Sequence, residues 1–116
     1  MPIQNQDTQI NYGFMNVPLS GNSIVGDPTG IGLISGVSTS ATAVFDFTLN
    51  SPPPIAWDVN SLYSVIVTPL VDGSDVVLWS VENLGINGFT VLFKNAAGTA
   101  TCPSTGFTVT VLFMIA

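Results

Sequence analysis

The chain has very few charged side chains. Its 116 residues include seven acidic residues and a single basic one, Lys94, and its formal net charge is −6 at neutral pH. About 25% of the residues of an average soluble domain are charged, whereas this chain is 7% charged and 47% hydrophobic. Because so few charges are available to coat a free surface, we expect other chains to cover part of it.

The shortage of cations also limits the kinds of partner. Nucleic-acid binding and attraction to anionic membranes both need clustered lysines and arginines, which this sequence lacks. No stretch approaches the ~18 uninterrupted apolar residues of a transmembrane helix, and the first residues lack the positive and apolar regions of a signal peptide. We therefore expect neither a nucleic-acid partner nor a membrane partner.

Histidine is absent and cysteine occurs once, as Cys102. Without histidine a Ser-His-Asp or Cys-His arrangement cannot form, and the commonest metal ligand is missing. Cys102 has no second cysteine with which to form an internal disulfide. The sequence therefore predicts a protein that is not an enzyme and has no cofactor.

Asp72 and Asp75 are the only candidates for a metal site. They flank Gly73 and Ser74 in a turn-like sequence, and calcium takes oxygen ligands from such turns. Full coordination needs about 6–8 oxygens, and paired carboxylates are common in ordinary turns. We therefore favour a solvated turn and predict no metal.

Alternation of apolar and polar residues indicates β-strands from about residue 31 onward. The clearest case is Ala41 to Leu49, where Phe45 and Phe47 share one face. Prolines 52–54 end this strand, since proline cannot donate to a ladder. The further predicted strands are 62–69, 76–81, 89–93 and 107–115. Such spacing predicts an all-β fold, which we interpret as an antiparallel, jelly-roll-like β-sandwich over residues 31–116.

Residues 1–30 show no sustained period of 2 or 3.6. Their apolar residues are scattered among Gln, Asn, Gly, Pro and Ser. We interpret this segment as an extended N-terminal arm that lies on a neighbouring subunit or on its own sheet. Its predicted partner-binding residues are Ile3, Ile10, Tyr12 and Phe14.

Two predicted strands are apolar on both faces. The last strand carries Leu112 and Met114 opposite its main apolar face, and strand 76–81 places Trp79 opposite Leu78. Strands of this kind are usually covered on both faces, and each side chain so buried contributes roughly 1.5–3 kcal/mol. We predict a homotrimer with Trp79, Leu112 and Met114 in its interface; alternatively, the sandwich covers both faces by itself.

The region from Phe45 to Ala116 carries an ordered series of short motifs. They are Phe45-Asp-Phe47 followed by prolines, Tyr63 to Pro69 ending in Val-Thr-Pro, Trp79 to Asn83, Gly88-Phe-Thr-Val-Leu-Phe93, Thr105-Gly-Phe107, and the apolar end Leu112 to Ala116. This series resembles the C-terminal β-sandwich at the tips of bacteriophage tail fibres and in related lectin-like virion modules. The resemblance implies a compact trimer whose outer loops touch a receptor.

Because only about 30 residues precede the sandwich, we expect no shaft of the kind that carries a fibre tip. A short arm on a compact trimer is more similar to a capsid decoration (cement) protein. We therefore expect a protein on the capsid exterior that binds itself and the major capsid protein or other virion proteins. The alternative is a receptor-binding tail-fibre tip that contacts a host surface glycan through Trp57, Asp72 and Asp75.

Overall fold

The computed structural model describes residues 12–50, 63–73 and 76–113, all of them in strands, turns or loops. The nine strands are β1 (Tyr12–Ser20), β2 (Ser23–Ile24), β3 (Ile31–Gly32), β4 (Ile34–Ala41), β5 (Val44–Leu49), β6 (Tyr63–Leu70), β7 (Val77–Gly85), β8 (Gly88–Asn95) and β9 (Gly106–Phe113). The described part of the chain contains no helix. The predicted all-β class is confirmed.

The strands form two antiparallel sheets. One has five strands in the order β2-β1-β9-β6 with β3 paired to β1, and the other has four in the order β4-β5-β8-β7. Alternate residues of both sheets meet in one apolar core, since residues that share a strand face lie two apart. Its largest fully buried side chains come from both sheets: Phe45, Phe93, Phe107, Met15, Ile34, Val17, Val91, Val109 and Val111. The predicted antiparallel β-sandwich is therefore confirmed.

Strand β1 corrects the prediction for the N-terminal segment. Tyr12 to Pro18 pair with β9, from Leu112 back to Gly106, so β1 lies inside the five-stranded sheet. Met15, Val17 and Leu19 are buried in the core, and the residues between them face outward. The prediction of an arm is thus wrong for residues 12–20, whereas residues 1–11, with Ile3 and Ile10, lie outside the described residues.

The β4–β5 hairpin corrects a second boundary. Ala41 pairs with Val44, so Thr42 and Ala43 form a two-residue turn where the sequence predicted the start of a strand. Ala43 has a φ of 59°, which is unusual for a residue with a side chain. It is fully buried, and its carbonyl oxygen accepts a hydrogen bond from the Phe93 N–H at 3.0 Å. Burial and this hydrogen bond stabilise Ala43 in a positive-φ conformation that glycine adopts more readily.

Phe107 joins the two sheets at the centre of the core. Its ring centroid lies 4.7 Å from that of Phe93, 5.0 Å from Phe45 and 6.1 Å from Phe47, all three on the opposite sheet. The rings are tilted or edge-to-face, arrangements that stabilise aromatic pairs beyond simple burial. Phe47 also stacks on Phe89 at 5.0 Å within its own sheet. A continuous aromatic cluster therefore fixes how the sheets are stacked.

Strands β8 and β9, which contribute aromatic rings to this cluster, each begin with a glycine. A Cβ atom on Gly106 would lie 2.4 Å from the Val17 oxygen, and one on Gly88 would lie 2.0 Å from the Phe47 oxygen. Real Cβ atoms do not approach so closely. Glycine at these two positions lets the neighbouring backbones of β1 and β5 pass close enough to pair.

Tyr63 ties β6 to the β7–β8 hairpin of the other sheet. Its hydroxyl donates to the Gly85 oxygen at 2.6 Å, with the Gly88 oxygen also near at 2.9 Å, and accepts from the Gly85 N–H at 3.3 Å. Burial raises the pKa of Tyr63, and the backbone hydrogen bond from Gly85 opposes that shift. The protonated phenol is therefore the form that the fold stabilises.

Met15→Ala tests whether β1 belongs to the core. Because Met15 is fully buried, the change should lower the free energy of unfolding by about 2–5 kcal/mol. Asn16→Ala on the exposed face of the same strand is the matched control and should cost far less. Urea denaturation gives both values; equal, small effects would show that β1 is not needed for the fold.

Alkaline pH should weaken the hydrogen bonds of the Tyr63 hydroxyl to the β7–β8 hairpin. A pKa raised above the ordinary 10.0 means that this stabilisation is complete below about pH 10 and is lost as pH rises through the folded-state value. Tyr63→Phe should cost about 1–3 kcal/mol at neutral pH and flatten the alkaline fall in melting temperature. Tyr12→Phe, which removes an exposed hydroxyl, should keep the wild-type profile. An unchanged profile in Tyr63→Phe would contradict the assignment.

Candidate functional site

The outer face of the five-stranded sheet carries a cluster of exposed apolar side chains. We define the outer apolar patch as Tyr12, Phe14, Ile31, Ile66 and Leu112. Phe14 is half-buried, and the other four are between 41% and 53% exposed. Isolated apolar residues on a surface are ordinary, whereas a contiguous group marks an interaction site.

Strand register places the members of this patch side by side. Tyr12 pairs with Leu112 across the β1–β9 ladder, and Phe14 pairs with Ile31 on its other side. Thr110 lies between Phe14 and Ile66, because it pairs with both. Directly paired residues point to the same face and have Cβ atoms ~5 Å apart. The patch therefore spans four strands at one end of the sheet.

The outer face of the four-stranded sheet is more polar. Asp46 of β5 is half-buried there and accepts a hydrogen bond from the Thr90 hydroxyl at 2.9 Å. Thr90 in turn pairs with Glu82 on β7, and Ser38 on β4 pairs with Asp46. A row of polar side chains thus crosses this sheet, so apolar association is favoured on the opposite face.

The structure does not bring all of the predicted site residues together. Tyr12 and Phe14, predicted to bind a partner, join Leu112, predicted to lie in an interface, on the outer apolar patch. Trp79 lies on the other sheet, in its edge strand β7. Met114, Trp57 and Asp75 lie outside the described residues. The interface role of Trp79 stays a prediction.

Two patch residues were missed by the sequence analysis. Ile66 stands on the same strand face as Ser64 and Thr68, opposite the inward-facing Tyr63 and Val67. An isoleucine on an otherwise polar face is the same signal that singled out Leu112, so it could have been found. Ile31 offered no such signal, because its strand β3 is only two residues long.

A groove follows the edge of the four-stranded sheet beside Trp79. This edge groove has a volume of about 230 Å³, and its lining residues are Leu78, Trp79, Ser80, Leu92, Lys94, Asn95, Ala96 and Gly98. Leu78 pairs with Lys94, and Ser80 pairs with Leu92, across the β7–β8 ladder. Trp79 is 40% exposed at this edge. Trp79 itself pairs with the buried Phe93, so its side chain lies on the inner face at this edge, whereas Lys94 and Ser80 lie on the outer face.

Asp72 is exposed in the connection after β6. Its backbone N–H donates to the Ser104 hydroxyl at 2.8 Å, while the neighbouring Thr105 N–H and hydroxyl both donate to the Leu70 oxygen. These bonds hold the connection against the loop that leads into β9. Within the described ranges, no three His, Cys, Asp or Glu side chains are grouped closely enough to hold a metal ion.

Cys102 is half-buried and packs against the core. Burial raises the pKa of its thiol, and a hydrogen bond with the Ala43 backbone opposes that shift in part. The thiolate is the nucleophilic form of cysteine, so a raised pKa lowers its reactivity near neutral pH. This position suits a packing role beside the β4–β5 turn.

The chain matches no protein-family model, and comparisons with curated proteins and with solved structures find no match. The resemblance to bacteriophage modules accordingly stays a prediction. The part of the chain that the structure describes also has no helix long and apolar enough to cross a membrane.

Proposed function

We propose that the chain is a non-enzymatic structural protein of a bacteriophage particle, a trimeric decoration protein that stabilises the capsid from outside. The observation that supports this proposal best is the outer apolar patch. Four of its five side chains are about half exposed in the single chain, and burying the exposed half of each against another protein stabilises the complex by roughly 1 kcal/mol per side chain, about half the value for full burial.

A second copy of the chain is the occupant that fits this patch. The whole chain has only seven acidic residues and one lysine. Charged residues around the patch therefore contribute little to the choice of partner, and apolar contact must supply most of the affinity. None of the five patch residues carries a charge, so patches from several copies meet without like-charge repulsion. That the assembly contains three copies is an inference from the resemblance to phage modules.

The second candidate is a receptor-binding tail-fibre tip. It is favoured by the resemblance of the Phe45–Ala116 motifs to fibre tips and by the edge groove, whose mixed apolar and polar lining suits a small ligand. The outer apolar patch is a contiguous group of exposed apolar side chains, which suits protein–protein contact. Decoration of the capsid therefore ranks first.

Ile66→Asp tests self-association through the patch. An unpaired carboxylate in an apolar interface is costly, so the variant should dissociate to monomers with a dissociation constant raised by about tenfold or more. Thr68→Asp, on the exposed face of the same strand, is the matched control and should remain a trimer. Sedimentation equilibrium gives both states; a wild-type monomer at micromolar concentration would overturn the proposed assembly.

Particles that lack the protein test its role on the capsid. A ligand that binds only the assembled shell stabilises it by mass action, so depleted particles should release DNA at a lower temperature while still adsorbing to host cells. Adding back the wild-type chain should restore heat resistance, and adding the Ile66→Asp chain should not. Normal heat resistance with failed adsorption would instead support the tail-fibre tip, and normal behaviour in both assays would overturn both candidates.

A further inference from the structure

Strand β7 is an edge strand, and β8 is its single neighbour among the strands that the structure describes. Phe93 of β8 donates its N–H to the Ala43 oxygen and accepts at its own oxygen from the Thr101 N–H, so both groups point away from β7. Trp79 pairs with Phe93. Hydrogen-bonded and non-hydrogen-bonded pairs alternate along an antiparallel ladder, and this pair is of the second kind. The N–H and oxygen of Trp79 therefore point outward from the sheet.

The same orientation recurs two residues away on either side of Trp79. Val77 pairs with Asn95, whose N–H and oxygen both bond within the loop that follows β8. Alternation gives Val81 the same orientation. Val77, Trp79 and Val81 thus present their N–H and oxygen groups to the outside of the sheet, with no proline or charged residue between them.

The other edges of the described sheets carry features that oppose pairing with another strand. β6 contains Pro69, which has no N–H, β4 has two register shifts, and β2 and β3 are two residues long. Natural sheets use proline, bulges and short strands to prevent edge-to-edge association. β7 keeps an unbroken register up to Glu82 and is apolar, with Val76 57% and Leu78 55% exposed. Of the described edges of this chain, β7 is therefore the one suited to pair with a strand of another molecule.

We infer that β7 pairs antiparallel with β7 of a second copy of the chain, about a two-fold axis at Trp79. Trp79 then lies opposite Trp79, and Val77 lies opposite Val81 on either side of the axis. Each of these pairs exchanges two backbone hydrogen bonds, and the two four-stranded sheets become one continuous sheet. An interface between identical strands closes on itself, so it gives a discrete dimer and not a fibre.

The inner face of β7 suits this register. Val77 and Val81 pack against the core, whereas Trp79 between them is 40% exposed. In the pair of strands each Trp79 gains the other as its direct cross-strand neighbour, and aromatic pairs of this kind stabilise antiparallel sheets. The pairing therefore covers the indole that the single chain leaves exposed.

The charges on the outer face favour a second copy in the antiparallel direction. Glu82 lies opposite Val76 of the other copy, so the two Glu82 side chains are roughly 20 Å apart along the strands. A parallel, in-register pairing would set them side by side. Lys94, one strand inward on the same face, lies roughly 12 Å from Glu82 of the other copy, counted as two strand spacings and two residues. Opposite charges therefore attract across this interface.

This contact goes beyond the proposed function and does not rest on it. β7 belongs to the four-stranded sheet, whereas the outer apolar patch lies on the outer face of the five-stranded sheet, and the two surfaces share no residue. A trimer that assembles through the patch leaves β7 outside that contact. Pairing of β7 strands then joins one trimer to the next.

Amide hydrogen exchange of the full-length Ile66→Asp chain, measured by NMR, tests the pairing without the patch interface. At micromolar concentration the amides of Val77, Trp79 and Val81 should exchange freely, and at millimolar concentration they should exchange about tenfold more slowly. The amides of Leu78 and Ser80, which bond to β8, should be protected at both concentrations. Free exchange of the three outward amides at both concentrations would overturn the pairing. Equal protection at both would also overturn it, because the chain would then cover this edge by itself.

Val81→Pro in the same Ile66→Asp chain separates pairing from folding. It removes an N–H that β8 does not use, and edge strands tolerate proline at such positions, so the sheet should stay folded. The dimer loses two symmetry-related hydrogen bonds, and its dissociation constant should rise by about tenfold or more. Sedimentation equilibrium at up to millimolar concentration measures this constant.

Thr39→Pro is the matched control on the opposite edge of the same sheet. Thr39 pairs with Phe45, whose backbone bonds to β8 as that of Ala43 does, so the N–H of Thr39 also points outward. This variant should dimerise as its parent does, and equal weakening by the two prolines would overturn the pairing. The trimer is measured separately, on the wild-type chain at micromolar concentration, so failure of one interface is distinguishable from failure of the other.

Discussion

The insertion of Phe107 among three phenylalanines of the opposite sheet is the contact on which the rest of the structure depends. It fixes how the two sheets stack, and therefore which face of each sheet is exposed. β9 carries Phe107 and is paired with both β1 and β6, so the same strand also holds the middle of the outer apolar patch. Gly106 makes this possible, because any side chain there would collide with the β1 backbone.

Much of the sandwich could be predicted from alternation alone, and its exceptions have physical causes. Strands β5, β6, β8 and β9 alternate clearly because one face is buried. β4 is an edge strand of mostly small and polar residues, ISGVSTSA, with two register shifts, so it offers little alternation. Its turn has no glycine and is held by contacts from Phe93. In β1, Met15, Val17 and Leu19 do alternate, but the surrounding Gly, Pro and Asn residues concealed so short a pattern.

The candidate sites were predictable only where a residue violates the pattern of its own strand. Leu112 stands on a face that otherwise carries threonines, and this departure marked it as an interface residue. That Tyr12 and Phe14 adjoin Leu112 could not be foreseen, because it depends on the pairing of β1 with β9. The edge groove depends likewise on the β7–β8 register and on the folded-back loop after Asn95. The register between strands that are far apart in the chain cannot be read from a single sequence.

The pairing of β1 with β9 also governs how the chain reaches its native state. The five-stranded sheet cannot form until residues from the two ends of the described chain have met. A very long loop must therefore close, and its entropy be lost, before the contacts between β1 and β9 can stabilise the sheet. Topologies of such high contact order fold slowly. Until β9 arrives, the inward faces of β1 and β6 stay exposed to other chains. The sandwich is therefore most vulnerable to aggregation while it is still being synthesised.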